Sequence, residues 1–372
     1  MMSRATCRAV LVSGILTGLC LALALALPGC LESNPQPFPA DDSFSGGGGG
    51  SEATGLKGPD RTSQENRPDE AVDFRAEMRT LVQSIAAYAR ADNPAFVVIP
   101  QNGLELLTLD GEPDGPLADA YVATVSGCGQ EDLNYGYPTL GDASPAEMTE
   151  RLTAFLDRLE GADREALVID YCENEEQTDS SLAAAADHGF IAFPADRREL
   201  DDIPAYPPEP ADVNGDDVTQ LSEARNFLYL INAGEFESRE AFLQAMAETD
   251  YDLFVVDAFF EDGPLSADEV DGLKIKANGG RRLVISYMSI GEAEDYRFYW
   301  QESWNETPPS WIAAENPDWE GNFKVRYWDP EWQAVLFGSP DSYLDRILAA
   351  GFDGIYLDII DAFQWFEGEL EE

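Results

Sequence analysis

Strand and helix patterns alternate along this chain from residue 73 onward, and this alternation constrains the possible folds most. Apolar residues at helical spacing separate short apolar runs of the kind found in buried parallel strands. Strands joined by helices pair in parallel through right-handed crossovers. Eight such units predict an α/β fold, a closed (β/α)₈ barrel of the TIM type, as one domain over residues 71–367. The strand runs are 95–100, 120–125, 166–171, 190–193, 227–231, 253–257, 283–288 and 354–359, and the helices are 73–91, 145–159, 180–188, 239–248, 267–277 and 339–350.

A doubly wound open sheet is the alternative architecture for such an alternation. Sheets of that type often carry a glycine-rich phosphate-binding loop after a strand, and no such loop follows any of the eight runs. A ninth strand candidate, 324–328, falls inside a long aromatic segment at 291–332. We interpret it as part of a loop excursion from the barrel.

The first 70 residues have the pattern of an export signal followed by a tether. Two arginines precede an apolar run at 11–27, which ends in Leu-Pro-Gly before Cys30. This pattern predicts a signal peptide at 1–29, and the cysteine predicts a lipid-modified mature N-terminus. An ordinary signal peptide with a chance cysteine is the alternative. Residues 30–70 are rich in Pro, Ser and Gly and predict a flexible tether. We therefore expect an exported, membrane-anchored lipoprotein that contacts the membrane through its lipid only.

The chain is strongly acidic, with 71 acidic and 23 basic residues and a formal net charge of −48. Such a surface repels phosphate backbones, so we expect no nucleic-acid partner. A cationic substrate would be attracted. Solubility in a salty environment, where ions screen the self-repulsion, is the alternative explanation.

The single histidine, His188, limits the available chemistry. One histidine excludes Ser/His/Asp triads, Cys/His dyads and histidine-ligated zinc, unless it is itself the functional residue. Its position at a predicted helix end favours a structural role. There is no P-loop, and we expect no metal or other cofactor. Acid–base chemistry must therefore come from Asp, Glu, Tyr or Lys.

Two cysteines, Cys128 and Cys172, remain after the signal peptide and Cys30. Each follows a predicted strand, and an exported protein meets an oxidising compartment. A disulfide and two unpaired thiols are both compatible with the sequence.

Acidic and polar residues end most of the predicted strands, where a barrel of this type carries its function. Closure of the barrel would place them around one pit. Carboxylates crowded there differ in pKa, so that one is protonated while another is ionised, as glycoside hydrolysis requires. Each acid taken singly could be a solvated group of an acidic protein. The residues are Gln101, Asn102, Glu131, Asp170, Tyr171, Asp257, Glu292, Asp358 and Asp361.

The seven tryptophans all lie after residue 299, with several tyrosines among them. Flat rings can cover the C–H faces of sugars, so this cluster could bind a glycan. Packing of an irregular loop is the alternative. The tryptophans are Trp300, Trp304, Trp311, Trp319, Trp328, Trp332 and Trp365.

Several longer motifs are specific enough to suggest a family. They are Val-Ile-Pro-Gln-Asn-Gly at 98–103, Gly-Gln-Glu-Asp-Leu at 129–133, Ser-Ile-Gly-Glu-Ala-Glu-Asp-Tyr-Arg at 289–297, Asn-Pro-Asp-Trp at 316–319, Val-Arg-Tyr-Trp-Asp at 325–329 and Gly-Phe-Asp-Gly-Ile-Tyr-Leu-Asp at 351–358. This set resembles the barrel of glycoside hydrolase family 114, the endo-α-1,4-polygalactosaminidase type. That group was once labelled cysteinyl-tRNA synthetase-related, but the ATP-site signatures of that enzyme class are missing from this sequence.

The resemblance implies that Asp358 and Glu131 are the catalytic pair. Asp358 would be the nucleophile or cation stabiliser, and Glu131 the general acid/base. A carboxyl separation of about 5–5.5 Å would indicate retention of configuration, and about 6.5–9.5 Å inversion. We expect other groups at the mouth to contact the substrate, namely Gln101, Asn102, Asp170, Tyr171, Asp257, Tyr287, Glu292, Trp328 and Asp361.

The order of the two halves departs from that of the simpler family members. In those members the strand equivalent to 227–231 comes first, whereas here the half that carries Glu131 precedes it. This order indicates a circular permutation, which a closed barrel tolerates because its first and last strands are neighbours. The helix at 73–91 should then pack beside the strand that ends at Asp358.

The sequence thus predicts a lipid-anchored, monomeric glycoside hydrolase that cleaves a polysaccharide, with an amino-sugar polymer as the substrate implied by the resemblance. A non-catalytic carbohydrate-binding protein on the same barrel is one alternative. A structural surface lipoprotein with a vestigial site is another.

Overall fold

The structure is a computed structural model, and it describes residues 72–260 and 263–369. The predicted signal peptide, Cys30 and the tether lie outside the described residues. The helices are α1 (Phe74–Asp92), α2 (Asp119–Thr124), α3 (Ala146–Glu160), α4 (Glu175–His188), α5 (Arg239–Ala247), α6 (Ala267–Leu273), α7 (Pro330–Leu336), α8 (Tyr343–Ala349) and α9 (Ala362–Glu369). The strands are β1 (Val97–Pro100), β2 (Gly127–Glu131), β3 (Glu165–Tyr171), β4 (Ile191–Ala195), β5 (Phe227–Leu230), β6 (Leu253–Asp257), β7 (Phe259–Phe260), β8 (Gly263–Pro264), β9 (Leu283–Ser289), β10 (Glu292–Glu294), β11 (Ile312–Glu315), β12 (Asn322–Val325) and β13 (Gly354–Asp358).

Two parallel sheets form the centre of the fold. One has the strand order β1-β13-β9-β6-β5 and the other β2-β3-β4. A parallel bridge between Gln101 and Gly129 connects the end of β1 to β2. Between β4 and β5 the described residues show side-chain packing, with the rings of Phe193 and Phe227 5.7 Å apart, rather than a backbone ladder. The fold is therefore mixed α/β, with parallel strands joined by helices.

The predicted strands are confirmed at seven of the eight positions, within two residues at each end. Each of the seven is a continuous apolar run, and in the structure most of their side chains are buried. Burial on both faces explains the pattern, because a strand covered on both sides needs apolar residues at every position.

The strand predicted at 120–125 is wrong. These residues form α2, which buries Tyr121 and Val122 and exposes the opposite face. The strand in this part of the chain is β2, Gly-Cys-Gly-Gln-Glu, which lacks an apolar run. Its glycines are required by close packing, because a Cβ at Gly129 would clash with the hydroxyl of Tyr356.

The aromatic segment after β9 forms a three-stranded antiparallel sheet in the order β10-β12-β11. The predicted excursion at 324–328 is therefore confirmed, since β12 pairs with β10 and β11 and not with the parallel strands. Most of the tryptophans here pack against one another, including Trp304 and Trp311 with ring centroids 5.1 Å apart, and Trp311 and Trp332 at 5.0 Å.

The first and last parts of the described chain are neighbours, as the predicted permutation requires. β1 pairs in parallel with β13, from Val97 opposite Gly354 to Pro100 opposite Leu357. On the outside, Arg75 of α1 forms a bidentate ion pair with Glu367 of α9 at 2.9 Å. The first helix thus contacts α9, the helix that follows the strand ending at Asp358.

Cys128 and Cys172 are both buried and unpaired, so the disulfide considered from the sequence does not form. Within the described residues, no helix combines the length and apolar character that a membrane span requires.

A buried ion pair lies beneath the sheet, at the amino ends of the strands. The Lys276 ammonium contacts Asp252 at 2.8 Å, and both side chains are fully buried. Asp252 also accepts hydrogen bonds from the Asn214 amide and from the backbone N–H of Arg225. The acidic segment before β5 is therefore attached to the start of β6 through this carboxylate.

We predict that Lys276→Met lowers the free energy of unfolding by about 3–5 kcal/mol, because it leaves the Asp252 carboxylate buried without its cation. Chemical denaturation measures the change. The control is Arg225→Met, which removes an exposed ion pair to Asp216 and should cost no more than about 1 kcal/mol. Equal, small losses in both variants would contradict the prediction.

Candidate functional site

The carboxyl ends of three adjacent strands bring two acidic side chains together. Gln101 directly follows β1, and its N–H donates to Leu357 O of β13 at 2.8 Å. On its other side Gln101 bridges to Gly129 of β2. Asp358 ends β13 and Glu131 ends β2, so the two acids lie on either side of the end of β1, each about one strand spacing away.

Glu131 is held by three hydrogen-bond donors. Its Oε2 accepts from Gln101 Nε2 at 2.6 Å and from Asn102 Nδ2 at 3.1 Å. Its Oε1 accepts from the hydroxyl of Tyr171. Gln101 Oε1 is occupied by the Tyr229 hydroxyl at 2.8 Å, which leaves the Gln101 amide nitrogen to donate to Glu131. The three donors orient the carboxylate and stabilise its negative charge.

Asp358 has a different environment. Its Oδ2 accepts from the Tyr287 hydroxyl at 2.7 Å, and its Oδ1 accepts from the backbone N–H of Ile359 at 2.8 Å. Burial raises the pKa of Asp358 to about 7, and the negative charge of Glu131 contributes to the same shift. The two hydrogen bonds oppose this shift without cancelling it. Near neutral pH, Asp358 therefore exists in both its protonated and its ionised form.

A second group of acids lies next to this pair. Burial raises the pKa of Asp361 to about 6, while the positive charge of Lys324 acts in the opposite direction. Lys324 Nζ contacts Glu292 Oε1 at 2.5 Å, and Asn316 Nδ2 donates to the same oxygen at 2.8 Å. Glu292 thus joins the antiparallel excursion to the acids at the strand ends.

Asp257 is neutralised by a buried arginine. Arg297 Nη1 contacts Asp257 Oδ2 at 2.6 Å, and Arg297 Nε contacts Glu294 at 2.6 Å. The guanidinium carbon of Arg297 also lies 5.8 Å from the centre of the ring of Tyr287, whose hydroxyl donates to Asp358. Asp257 therefore contributes to the support of the site through Arg297 and Tyr287.

Asp170 and Trp328 do not lie with Glu131 and Asp358. Asp170 is fully buried and accepts from Asn134 N and Nδ2 and from Ser181 Oγ, all at 2.7–2.8 Å. Successive side chains of a strand point to opposite faces, so Tyr171 faces Glu131 while Asp170 faces the covering loop and α4. Trp328 packs between aromatic rings of α1 and α9, with centroids 5.1 Å from Phe74 and 4.7 Å from Phe366.

Two residues that support Glu131 were not predicted from the sequence. The guanidinium of Arg198 lies 4.3 Å from the centre of the Tyr171 ring and donates to Asp132 Oδ1 at 2.7 Å. Burial raises the pKa of Asp132 to about 7, with the charge of Glu131 as the second cause. Arg198 comes from a run of charged residues that is indistinguishable in sequence from a solvated loop. Tyr229 was missed because it lies within an apolar strand.

His188 lies away from these acids, at the end of α4. Its Nδ1 contacts Asp157 Oδ1 at 2.8 Å, and its ring stacks on Phe190. These contacts agree with the predicted structural role. Among the described residues, no three His, Cys, Asp or Glu side chains are placed to hold a metal ion.

Comparison with known proteins identifies a family for the second part of the chain. Residues 220–372 match the family model of glycoside-hydrolase family GH114. This segment contains Tyr287, Glu292, Asp358 and Asp361, whereas Glu131 precedes it.

Three uncharacterized proteins are similar to the chain over shorter segments. One from Methanocaldococcus jannaschii is 40% identical over 163 residues, 43% of this chain and 44% of the relative. One from Deinococcus radiodurans is 47% identical over 123 residues, 33% of this chain and 37% of the relative. One from Thermotoga maritima is 41% identical over 125 residues, with the same two shares. The chain thus spans less than half of each of these relatives.

We predict that Asp358→Asn stabilises the protein at alkaline pH. The folded state raises the pKa of this carboxyl from about 4 in the unfolded chain to about 7. The folded protein therefore binds the proton more tightly, and wild-type stability is lost as the pH rises through this window. Asparagine cannot ionise. When the pH is raised from 4 to 8, the free energy of unfolding of the variant should therefore rise by about 1–3 kcal/mol relative to that of wild type.

The measurement is chemical denaturation of both proteins at pH 4 and pH 8. Asp114→Asn, at an exposed acid, is the control and should show the same difference from wild type at both pH values. A difference between Asp358→Asn and wild type that does not change with pH would contradict the raised pKa.

Proposed function

Since residues 220–372 belong to glycoside hydrolase family GH114, we propose that this protein cleaves a polysaccharide, with Glu131 and Asp358 as its catalytic pair. The observation that carries this proposal is the contrast between the two carboxyl groups. Glu131 accepts three hydrogen bonds, and burial raises the pKa of Asp358 to about 7. Glycoside hydrolysis needs one ionised and one protonated carboxyl at the scissile bond.

These environments support a division of roles opposite to the one implied by the family resemblance. Asp358, whose pKa is raised to about 7 so that part of the population is protonated near neutral pH, would donate its proton to the glycosidic oxygen as the C–O bond breaks. Glu131 would act as the ionised partner, either attacking the anomeric carbon or removing a proton from an attacking water. Tyr171, Gln101 and Asn102 hold the Glu131 carboxylate for this step, and Tyr287 orients Asp358.

We infer further that the eight parallel strands form one closed (β/α)₈ barrel in permuted order. The bridge from Gln101 to Gly129 on one side, and the packing of Phe193 on Phe227 on the other, support closure. The family match begins at residue 220, and β1 pairs with β13. Residues 72–219 would then supply the part of the barrel that carries Glu131.

An amino-sugar polymer of the polygalactosaminidase type is the substrate we propose. A cationic polymer suits the net charge of −48 and the acids Asp361 and Glu292 beside the pair. We propose also that the protein is exported as a monomer, is anchored to the membrane through a lipid on Cys30, and has no nucleic-acid partner.

The test is release of reducing ends from a galactosamine-containing polymer. We predict that wild type releases them and that Glu131→Gln and Asp358→Asn each lower kcat by about 10²–10⁴-fold, the range for loss of an acid–base group. Glu147→Gln, at an exposed position on α3, is the matched control and should keep full activity. Binding without turnover by wild type would favour the non-catalytic carbohydrate-binding alternative.

The pH dependence of the same reaction separates the two divisions of roles. If Asp358 is the general acid, kcat/KM falls as the pH rises above about 7. A rise of kcat/KM through the same range would instead show that Asp358 acts in its ionised form. Polymer binding by Glu131→Gln at the same pH values measures the pH dependence of binding, which is then separated from that of the chemical step.

A further inference from the structure

One tryptophan differs from the other six. Those six each pack against another aromatic ring at centroid distances of 4.7–5.2 Å. Trp319 is 53% exposed and has no aromatic ring partner among the described residues. A large exposed ring alone is common on protein surfaces, so its surroundings decide whether it has a function.

A second exposed aromatic residue lies just after β10, the strand that pairs with β12. Tyr296 is 62% exposed. β10 and β12 run antiparallel, with Glu294 opposite Asn322, and the N–H of Asp295 donates to Gly321 O at 2.9 Å. Tyr296 and Trp319 therefore lie within one and two residues of the same backbone hydrogen bond. Among the large apolar side chains that the described part of the chain exposes, these two are the aromatic ones.

Both segments are held in place while the side chains stay exposed. The Tyr296 hydroxyl donates to Glu294 Oε1 at 2.5 Å, and Glu294 is fixed by Arg297. The turn before Trp319 is fixed by Asn316, whose side chain donates to Glu292 at 2.8 Å and accepts from Asp318 N at 3.1 Å. A rigid support lowers the entropy lost when a ligand binds to the rings.

The same contacts connect this surface to the acids of the proposed active site. Glu292 contacts Lys324, and the charge of Lys324 acts on Asp361, three residues after Asp358. The exposed acids Asp295, Asp318 and Glu320 are the sequence neighbours of Tyr296 and Trp319. The support of the aromatic residues and the acids at the strand ends therefore share Glu292, and exposed acids next to the rings are available for the hydroxyl or ammonium groups of a glycan.

We propose that Trp319 and Tyr296 form an outer glycan-binding surface that holds sugar rings of the polymer several units away from the bond that is cleaved. This inference rests on the proposed function and deepens it. Sugar rings have apolar C–H faces that stack on aromatic rings, and the polar edges of the same rings reach the neighbouring acids. The surface contributes only when the ligand is long enough to reach it, so the protein acts on chains rather than on short oligosaccharides.

The experiment compares Trp319→Ala and Tyr296→Ala with wild type on the galactosamine-containing polymer and on its trimer. Each variant should raise KM for the polymer about fivefold to tenfold, the effect of losing one aromatic contact, and leave kcat/KM for the trimer within about twofold of wild type. Trp319→Phe, which keeps a flat ring, should retain most of the affinity for the polymer. Ile275→Ala is the control, since Ile275 is 49% exposed in the turn that precedes β9, at the opposite end of the strands.

Polymer binding is measured separately by calorimetry in the Glu131→Gln background, so that the surface is tested even if the proposed hydrolysis fails. Weaker binding in the additional Trp319→Ala variant supports the surface, whatever the turnover. Equal affinity with and without Trp319, or no binding of the polymer at all, overturns it. Equal losses on polymer and trimer would also overturn it, because they would indicate a structural role, and a surface that binds a protein partner would leave polymer affinity unchanged.

Discussion

The carboxyl groups of Glu131 and Asp358 lie on either side of the end of β1, where burial makes it costly to ionise both of them. The two carboxyl groups have different hydrogen-bond donors. Gln101, Asn102 and Tyr171 converge on Glu131, while Asp358 receives one hydroxyl and one backbone N–H. Most other features of the site support these donors: Tyr229 orients Gln101, Arg198 lies on Tyr171, and Arg297 lies near Tyr287.

This arrangement depends on close packing beneath the site and on a buried ion pair at the amino ends of the strands. The glycines of β2 allow the Tyr356 hydroxyl to approach the strand that ends in Glu131. At the other end of the strands, the buried pair of Lys276 and Asp252 attaches the acidic segment to β6. The antiparallel excursion is joined to the site through Glu292. The site therefore combines groups from distant parts of the chain that only the fold brings together.

The sequence predicted those parts of the fold in which local pattern and burial agree. Seven strands are continuous apolar runs and were found, whereas β2 was missed because close packing selects glycine there and removes the apolar signal. Asp358 was placed at a strand end because its strand is an apolar run, whereas Glu131 was singled out by its motif and not by its strand. The face of the sheet to which a side chain points was harder to predict. Asp170 and Tyr171 are adjacent and were both expected at the mouth, but the alternation of the strand sends Asp170 to the opposite face.

Tertiary packing explains the remaining differences. The tryptophans were expected either to bind glycan or to pack an irregular loop, and six of them pack against other rings while Trp319 is exposed. Trp328 covers the junction of α1 and α9, which the sequence could not show because these helices are nearly 300 residues apart. Arg198 was missed because nothing in its own segment distinguishes a positioned guanidinium from a solvated one.

Glu131 and Asp358 would act as one electrostatically coupled pair. This coupling is tested most directly by an NMR titration of ¹³C-labelled aspartate carboxyls, with the Asp358 signal assigned by its loss in Asp358→Asn. We expect Asp358 to titrate with a pKa of about 7 in wild type, and with a lower pKa in Glu131→Gln, where the neighbouring charge is removed. Titration near pH 4, as for an ordinary aspartate, or a pKa unaffected by Glu131→Gln, would contradict it.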